Sequence, residues 1–312
     1  MSTVKSFVSG SQFERSKLLT LFTLADDIKE HPKSYSNILS SKIITTLFFE
    51  PSTRTRLSFE SAIQRLGGHL LTVENGELNS SSNKGESIAD TIRIVEGYSD
   101  GIIMRHKQTE ACQIAASISE VPIINAGDGS GEHPTQSLLD LYTIHSYKKK
   151  LDNLSIAIIG DLKYGRTVHS LVHALCLFEN ITIYGVSNEE FELPTTYDSL
   201  LLKHKIKYIK CRSLDELPLD IDVIYQTRLQ NERTEAESIR DSIFVITKKI
   251  IEKFSPTTIL MHPLPRNKEI DVAVDKDKRA VYFEQAKNGL YIRMALLTYI
   301  FNEEEQERLV IV

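Results

Sequence analysis

The apolar positions of the chain alternate between two spacings. Residues 43–49 are apolar and β-branched in an unbroken run, with Thr45 and Thr46 inside it, which predicts a buried strand. Directly after it Leu57, Ala62, Ile63 and Leu66 recur at helical spacing, and Gly67-Gly68 closes the run as a helix C-terminus. The same alternation predicts strands over 70–73, 101–104 and 121–125, and helices over 18–28, 88–95, 109–120 and from Pro134 to about 146. The polar stretch 148–153 reads as a linker, after which the pattern restarts. Strands are expected over 155–159, 181–186, 206–211, 223–226 and 258–261, with a helix over 166–178 and others between. A last helix, from 283 to about 303, is expected to fold back onto the first half. Strand–helix alternation in both halves predicts an α/β protein with two doubly wound parallel-sheet domains joined by interdomain helices.

Composition narrows the picture little. With 312 residues the chain is long enough for two domains with sizeable cores. Its net charge, 37 − 42 = −5, argues against a broadly basic nucleic-acid surface, so an anion site must be a local cluster of arginine and lysine. Cys112, Cys176 and Cys211 are isolated in apolar surroundings, which gives neither a disulfide framework nor a zinc site and predicts buried thiols in a reducing compartment. No apolar run reaches transmembrane length and residues 1–15 carry no apolar signal core, so a cytoplasmic protein is expected.

The chemistry-bearing residues gather after predicted strands. Ser52, Thr53 and Thr55, with Arg54 and Arg56, occupy the turn from the first strand into its helix. The first N–H groups of that helix lack internal partners and sit at the positive end of its dipole, so such a turn suits a phosphate. An N-cap followed by solvated arginines is the plainer alternative. Arg105-His106-Lys107 follows the predicted strand 101–104, where α/β sheets place ligands, although a solvated loop fits the spacing equally well. Gly127, Gly129 and Gly131 lead into His133, Pro134 and Gln136 at another helix start. Lys84 ends a polar loop over 74–85; it is either solvated or a cation delivered when the loop closes.

In the second half, Gly160 to Thr167 nearly matches a phosphate-binding loop, G-x-x-x-x-G-K-[ST], but Arg166 stands where the lysine belongs. The nearest magnesium-holding candidate, Asp222, precedes its strand. An NTPase is therefore disfavoured against a reading of Arg166 as a bidentate clamp for a carboxylate. Arg228, after the strand 223–226, is a second clamp candidate. His262-Pro263-Leu264-Pro265 follows the strand 258–261 as a rigid loop able to present a carbonyl such as that of Leu264. There is no G-x-S-x-G, H-E-x-x-H or G-x-G-x-x-G, and nothing looks like an activated nucleophile. Cations and hydrogen-bond donors spread over two domains suit a reaction between two small anions.

Ser52-Thr53-Arg54-Thr55-Arg56, His133-Pro134-Thr135-Gln136 and His262-Pro263-Leu264-Pro265 together resemble the aspartate/ornithine carbamoyltransferase family, over about residues 5–303. Lys84-Gly85-Glu86, the run Gly160 to Ser170, Thr227-Arg228-Leu229-Gln230 and Pro263 resemble its aspartate-specific members. The resemblance implies a carbamoyl-phosphate-binding domain over 1–134, with a helix at about 287–312 packing back on it, and an aspartate-binding domain over 135–286. It implies that Ser52, Thr53, Arg54, Thr55 and Arg105 hold the phosphate of carbamoyl phosphate. Thr55, Arg105 and His133 would meet its carbonyl oxygen, and Gln136, Leu264 and Pro265 its amide. Arg166, Arg228 and Gln230 would hold aspartate. Lys84, with Ser80, would come from a neighbouring subunit of a homotrimer. No metal or organic cofactor is implied. Separate zinc-containing regulatory chains stay possible partners, as do two alternatives: a carbamoyltransferase for another acceptor such as ornithine, and a non-catalytic homologue acting as a scaffold. Asn83 departs from the family, where a second basic residue is common, and the tail 303–312 matches nothing in it.

Overall fold

A computed structural model describes residues 6–74, 85–129, 131–228 and 244–302. The chain divides into two compact units: Met1–Leu138 with Asn288–Val312, and Leu139–Lys287.

The first unit is built on a parallel four-stranded sheet of order β2-β1-β3-β4. Its strands are β1 (Ile43–Phe48), β2 (His69–Glu74), β3 (Gly101–His106) and β4 (Ile123–Asp128). Strands β1, β3 and β4 are buried almost throughout, which is why they read as continuous apolar runs rather than alternating ones. Edge strand β2 has no buried residue: four of its six positions are exposed and two half-buried. Helices α1 (Arg15–Glu30), α2 (Thr53–Arg65), α3 (Ile88–Val95) and α4 (Ala111–Ile118) belong to this unit. A core of Leu47, Phe49, Ile92, Ile102, Met104 and Cys112, among others, ties β1 and β3 to α3 and α4.

The second unit carries a parallel five-stranded sheet of order β7-β6-β5-β8-β9. Its strands are β5 (Ser155–Ile159), β6 (Thr182–Val186), β7 (Lys207–Cys211), β8 (Val223–Gln226) and β9 (Ile259–Met261). Its core gathers Ala157, Ile159, Val186, Ile224, Leu260 and Tyr282. Helices α6 (Arg166–Leu175), α7 (Asp198–Lys203) and α8 (Lys248–Ile251) lie between the strands.

The remaining two helices, α5 (Pro134–Lys148) and α9 (Tyr282–Phe301), each span a unit boundary. The stretch 148–153, expected as a linker, lies inside the second unit; the crossing occurs within α5. Charge misled the reading there. Lys148 is not a solvated linker residue: its side chain is only 9% exposed and pairs with Asp222 at 3.0 Å. Helix α5 is buried on every side from Pro134 to Ile144, so its polar residues need internal partners. Thr143 donates to the Leu139 carbonyl, and Asp140 accepts from Tyr225 and Gln285 at 2.8 and 2.7 Å.

Strand limits shift by a residue or a few from expectation, and one shift matters. Strand β3 runs through Arg105 and His106 instead of ending before them, with a register irregularity against β4 between Met104 and His106. Such an irregularity re-aims the side chain that it carries, here Arg105.

Candidate active site

In both units the strand order reverses direction next to the first strand of the unit, between β1 and β3 and between β5 and β8. Crevices beyond the carboxyl ends of strands at such points are where α/β sheets bind ligands. Among the described residues, Ser52–Thr55 and Arg105 lie at or just beyond the ends of β1 and β3, Arg166 and Arg228 beyond β5 and β8, and His133 and His262–Pro265 beyond the neighbouring β4 and β9.

In the first unit, Ser52 is the N-cap of α2 and makes no side-chain cap bond, and Thr53 and Arg54 open the helix from exposed positions. Arg56 is committed elsewhere: its guanidinium pairs with Glu74 at 2.9 Å and lies 3.9 Å from Glu60. Of the two arginines in the turn, Arg54 is the more exposed. Thr55 is buried, and its hydroxyl lies 3.5 Å from His133 Nε2, at the outer limit of a hydrogen bond. Arg105, 8% exposed, is held by Glu50 at 3.1 Å and donates to the Ala126 carbonyl at 3.2 Å. Glu50 was not singled out in the sequence. A lone glutamate before a proline gives no signal until the sheet places it beside Arg105.

The His133 loop is shaped by two residues. Gly127 has φ 116, and a Cβ there would lie 3.0 Å from Arg105 Nη1 and 3.4 Å from His133 Cδ2. The backbone thus passes close beneath both side chains, which only glycine permits. Asp128, buried, accepts from the Glu132 amide at 3.2 Å. Burial pushes its carboxyl up from the ordinary range, partly offset by its hydrogen bonds. The His133 carbonyl accepts from the Gln136 and Ser137 amides and so starts α5, which puts Gln136 one turn from the imidazole. Thr55, Arg105 and His133 together form a set of donors suited to one oxygen on which negative charge develops.

In the second unit, Thr227 joins the two central strand ends. Its amide and its hydroxyl both donate to the Ile159 carbonyl, at 2.8 and 2.9 Å, and the hydroxyl accepts from the Asp161 amide at 3.2 Å. Gly160, φ 115, comes so close that a Cβ would sit 2.6 Å from the Thr227 carbonyl oxygen. Arg166, first residue of α6 after β5, and Arg228, directly after Thr227, are both partly exposed beyond these joined ends. The turn before Arg166 is not an empty phosphate cradle. The Asp161 carboxylate already accepts from the Lys163 and Tyr164 amides, at 3.1 and 2.8 Å, which removes the donors that a phosphate-binding loop needs.

Beyond β9, His262 fixes the proline loop. Its Nδ1 accepts from the Leu264 amide at 2.8 Å, which makes Nε2 the protonated nitrogen of a neutral ring, donating to Glu269 at 2.8 Å. The Leu264–Pro265 bond is cis, and Leu264 is held at φ 56. Arg266 forms a two-pronged ion pair with Asp275 (Nη2 to Oδ2 2.7 Å), anchoring the far side of the loop. Lys84, Ser80 and Gln230 lie outside the described residues. Among the described residues no group of three or more His, Cys, Asp or Glu is placed to hold a metal ion. Cys112 and Cys211 are buried; Cys176 is only part-buried, and burial raises its thiol to about 11. No described helix is long and apolar enough to cross a membrane.

Two family models cover the chain. One, described as the carbamoyl-P binding domain of aspartate/ornithine carbamoyltransferase, matches residues 5–146. The other, the Asp/Orn binding domain of the same family, matches residues 152–300. The chain belongs to the aspartate/ornithine carbamoyltransferase family. Within this family it is 46% identical to the aspartate carbamoyltransferase catalytic subunit of Methanocaldococcus jannaschii, covering 97% of this chain and 100% of that one. It is 48% identical to the chloroplastic aspartate carbamoyltransferase of Arabidopsis thaliana, over 93% of this chain and 76% of that protein. A solved structure of the M. jannaschii catalytic subunit superposes with a TM-score of 0.89, covering 97% of this chain and 99% of that one. The aspartate transcarbamoylase of Trypanosoma cruzi, solved in complex with carbamoyl phosphate and aspartate, is 39% identical with a TM-score of 0.89, over 95% and 97% of the two chains.

Proposed function

We propose that the chain transfers the carbamoyl group of carbamoyl phosphate to the amino group of L-aspartate, giving N-carbamoyl-L-aspartate and phosphate, the committed step of pyrimidine biosynthesis. The observation that carries the acceptor is the placement of Arg166 and Arg228 beyond two strand ends that Thr227 joins. Two guanidinium groups there match the two carboxylates of aspartate and oppose the side-chain ammonium of ornithine.

On this reading the phosphate lies at the start of α2, against Ser52, Thr53, Arg54 and Thr55 and the helix N–H groups, with Arg105 beside it. The carbonyl oxygen accepts from Thr55, Arg105 and His133. Gln136 and the carbonyls of Leu264 and Pro265 take the carbamoyl N–H groups. Arg166, Arg228 and Gln230 hold aspartate. The neutral amine attacks the carbonyl carbon, a C–N bond forms, and charge collects on the oxygen facing Thr55, Arg105 and His133. The intermediate collapses as the carbon–oxygen bond to phosphate breaks, and the leaving phosphate takes the amine proton. The chain's residues orient the two reactants and stabilise charge; none forms a bond to substrate.

We further read the active unit as a homotrimer in which Lys84 and Ser80 serve a neighbouring site. The exposed large apolar side chains Ile43, Leu57, Leu71, Ile94 and Tyr98 of the first unit support an interface with another copy. Regulatory chains belong to the same proposal. A cytoplasmic location fits the free thiols, although the Arabidopsis relative is named as chloroplastic. The test is phosphate release from carbamoyl phosphate by the purified protein, with L-aspartate and L-ornithine as rival acceptors. Release with aspartate alone supports the proposal. Release with ornithine alone overturns the acceptor, and release with neither from folded protein overturns the enzyme reading.

A further inference from the structure

The segment before α1 takes no part in either sheet's named strands, yet it is tied to the loop that carries His133 at both of that loop's ends. At the first end, Asn125 is fully buried in β4. Its amide donates to the Phe7 carbonyl at 2.8 Å and its side-chain NH2 donates to the Val8 carbonyl at 3.0 Å. Its side-chain oxygen accepts from the Gly127 amide at 2.7 Å, and Gly127 is the residue over which Arg105 and His133 pack. At the second end, the two carboxylate oxygens of Glu132 divide between the Ser9 hydroxyl, at 2.9 Å, and the Gly10 amide, at 2.8 Å. Glu132 immediately precedes His133, and its own backbone is fixed by Asp128 through the Glu132 amide and carbonyl. The segment is stiff enough to serve as an anchor. Gln12 accepts from the Val8 and Ser9 amides at 2.7 and 2.8 Å in a capping box, and the Phe7 amide donates to the Ile123 carbonyl at 2.8 Å.

We propose that Glu132 is a positioning residue that clamps the segment Ser6–Gln12 to the His133 loop, and that this clamp sets the imidazole against Thr55 and the carbamoyl oxygen. The proposal rests on the carbamoyl-transfer reading. Charge-assisted bonds to a part-buried carboxylate are the strong kind, and two of them fix both the position and the rotation of the carboxylate. Without the clamp the loop keeps its Asp128 bonds but loses its outer support. The Thr55–His133 separation, 3.5 Å, is at the outer limit of a hydrogen bond, so a small displacement of the loop breaks the contact.

The experiment compares Glu132→Ala, Glu132→Gln and the pair Ser9→Ala with Gly10→Pro. Gly10 opens a short 3-10 helix after an extended Ser9 (φ −139, ψ 145), and a Cβ there meets nothing closer than 3.7 Å. Proline suits the start of such a helix, removes the amide donor and sets its ring carbon where the N–H met Glu132, so the bond is broken and cannot re-form. Glu132→Ala should lower kcat by about 10- to 100-fold, the cost of a displaced catalytic donor, with the aspartate KM within about twofold. Glu132→Gln, which keeps an acceptor oxygen, should recover most of this. The Ser9→Ala/Gly10→Pro protein should lose as much as Glu132→Ala, and adding Glu132→Ala to it should cost nothing more. Hydrogen exchange of peptides spanning 123–137 should quicken in Glu132→Ala and not in Glu132→Gln. Wild-type kcat in Glu132→Ala with unchanged exchange overturns the clamp, as does full additivity with the Ser9 and Gly10 changes. If the unsubstituted protein transfers no carbamoyl group, the functional reading falls, and the exchange data alone judge the clamp.

Discussion

Replacing Thr227 by valine changes one hydroxyl for a methyl of nearly the same size, at the point where the two arginine-bearing strand ends are joined. The side chain is 5% exposed, so water cannot take over its bonds. Two hydrogen bonds go. The Ile159 carbonyl keeps the Thr227 amide at 2.8 Å, so its loss is about 1 kcal/mol. The Asp161 amide loses its hydroxyl acceptor in a buried turn, a cost of about 1–3 kcal/mol. The sum is about 3 kcal/mol, or roughly 6–12 °C in the melting of a domain of this size. The functional consequence should be confined to aspartate. Arg228 is the next residue and Arg166 begins the helix after the Gly160 turn, so a loosened joint changes their spacing while the carbamoyl phosphate residues of the first unit keep theirs. Steady-state kinetics should show the aspartate KM raised by about tenfold, with the carbamoyl phosphate KM within about twofold. Thr227→Ser, which keeps the hydroxyl, should restore most of both effects. A valine protein as stable as wild type, or one whose two KM values rise together, would refute the role given to this joint.

Arg54→Ala should cut kcat by about 100- to 1,000-fold with little change in aspartate KM, because the proposed mechanism sets it against the departing phosphate; equal losses in both would count against that role. Arg228→Lys keeps the charge but not the planar fork, and should raise the aspartate KM about 10-fold or more while leaving carbamoyl phosphate binding alone, as read by calorimetry. Acid stability should depend on Asp275. The hydrogen bond from Arg266 holds its carboxyl below the ordinary 3.8, so its contribution is present above that pH and is lost as pH falls through the lowered folded value. Melting curves from pH 5 to 2 should be shallower for Asp275→Asn. His169 should add a second slope. Burial lowers its imidazole below 6.5, partly offset by the bond to the Leu162 carbonyl, so the unfolded chain binds the proton more readily. Stability should therefore decline as pH drops below about 6.5, and His169→Gln should remove that decline.

Both sheets were legible from spacing because their central strands are buried on two faces and spell themselves out as Ile43 to Phe48 and Ser155 to Ile159. The candidate site residues stood out in the sequence because many of them follow such strands directly. What could not be read is what tertiary partners decide. Nothing local distinguishes Arg56 from Arg54 until Glu74, at the end of β2, captures Arg56. Arg105 looked like the start of a loop because charge after an apolar run suggests an end; the pairing of Phe48 with Arg105 carries the strand past it. The near phosphate-binding loop at Gly160 is disfavoured in the sequence by Arg166; that Asp161 turns onto the Lys163 and Tyr164 amides and occupies those donors has no local signal. The stretch 148–153 resembled a linker because Asp222, the partner of Lys148, lies 74 residues away in the sequence.

The central claim is that one dianionic donor and one dicarboxylate acceptor are gripped by two separate arginine sets. Calorimetric titration with N-(phosphonacetyl)-L-aspartate, the ligand solved with the Trypanosoma cruzi relative, tests it most directly, because that molecule joins both halves. Binding should be far tighter than that of phosphonoacetamide, which lacks the aspartate half. Arg228→Ala should abolish the advantage, whereas Arg54→Ala should weaken both compounds and leave the advantage in place. Equal affinity for the two compounds, or an Arg228→Ala protein that still prefers the joined one, would contradict the account.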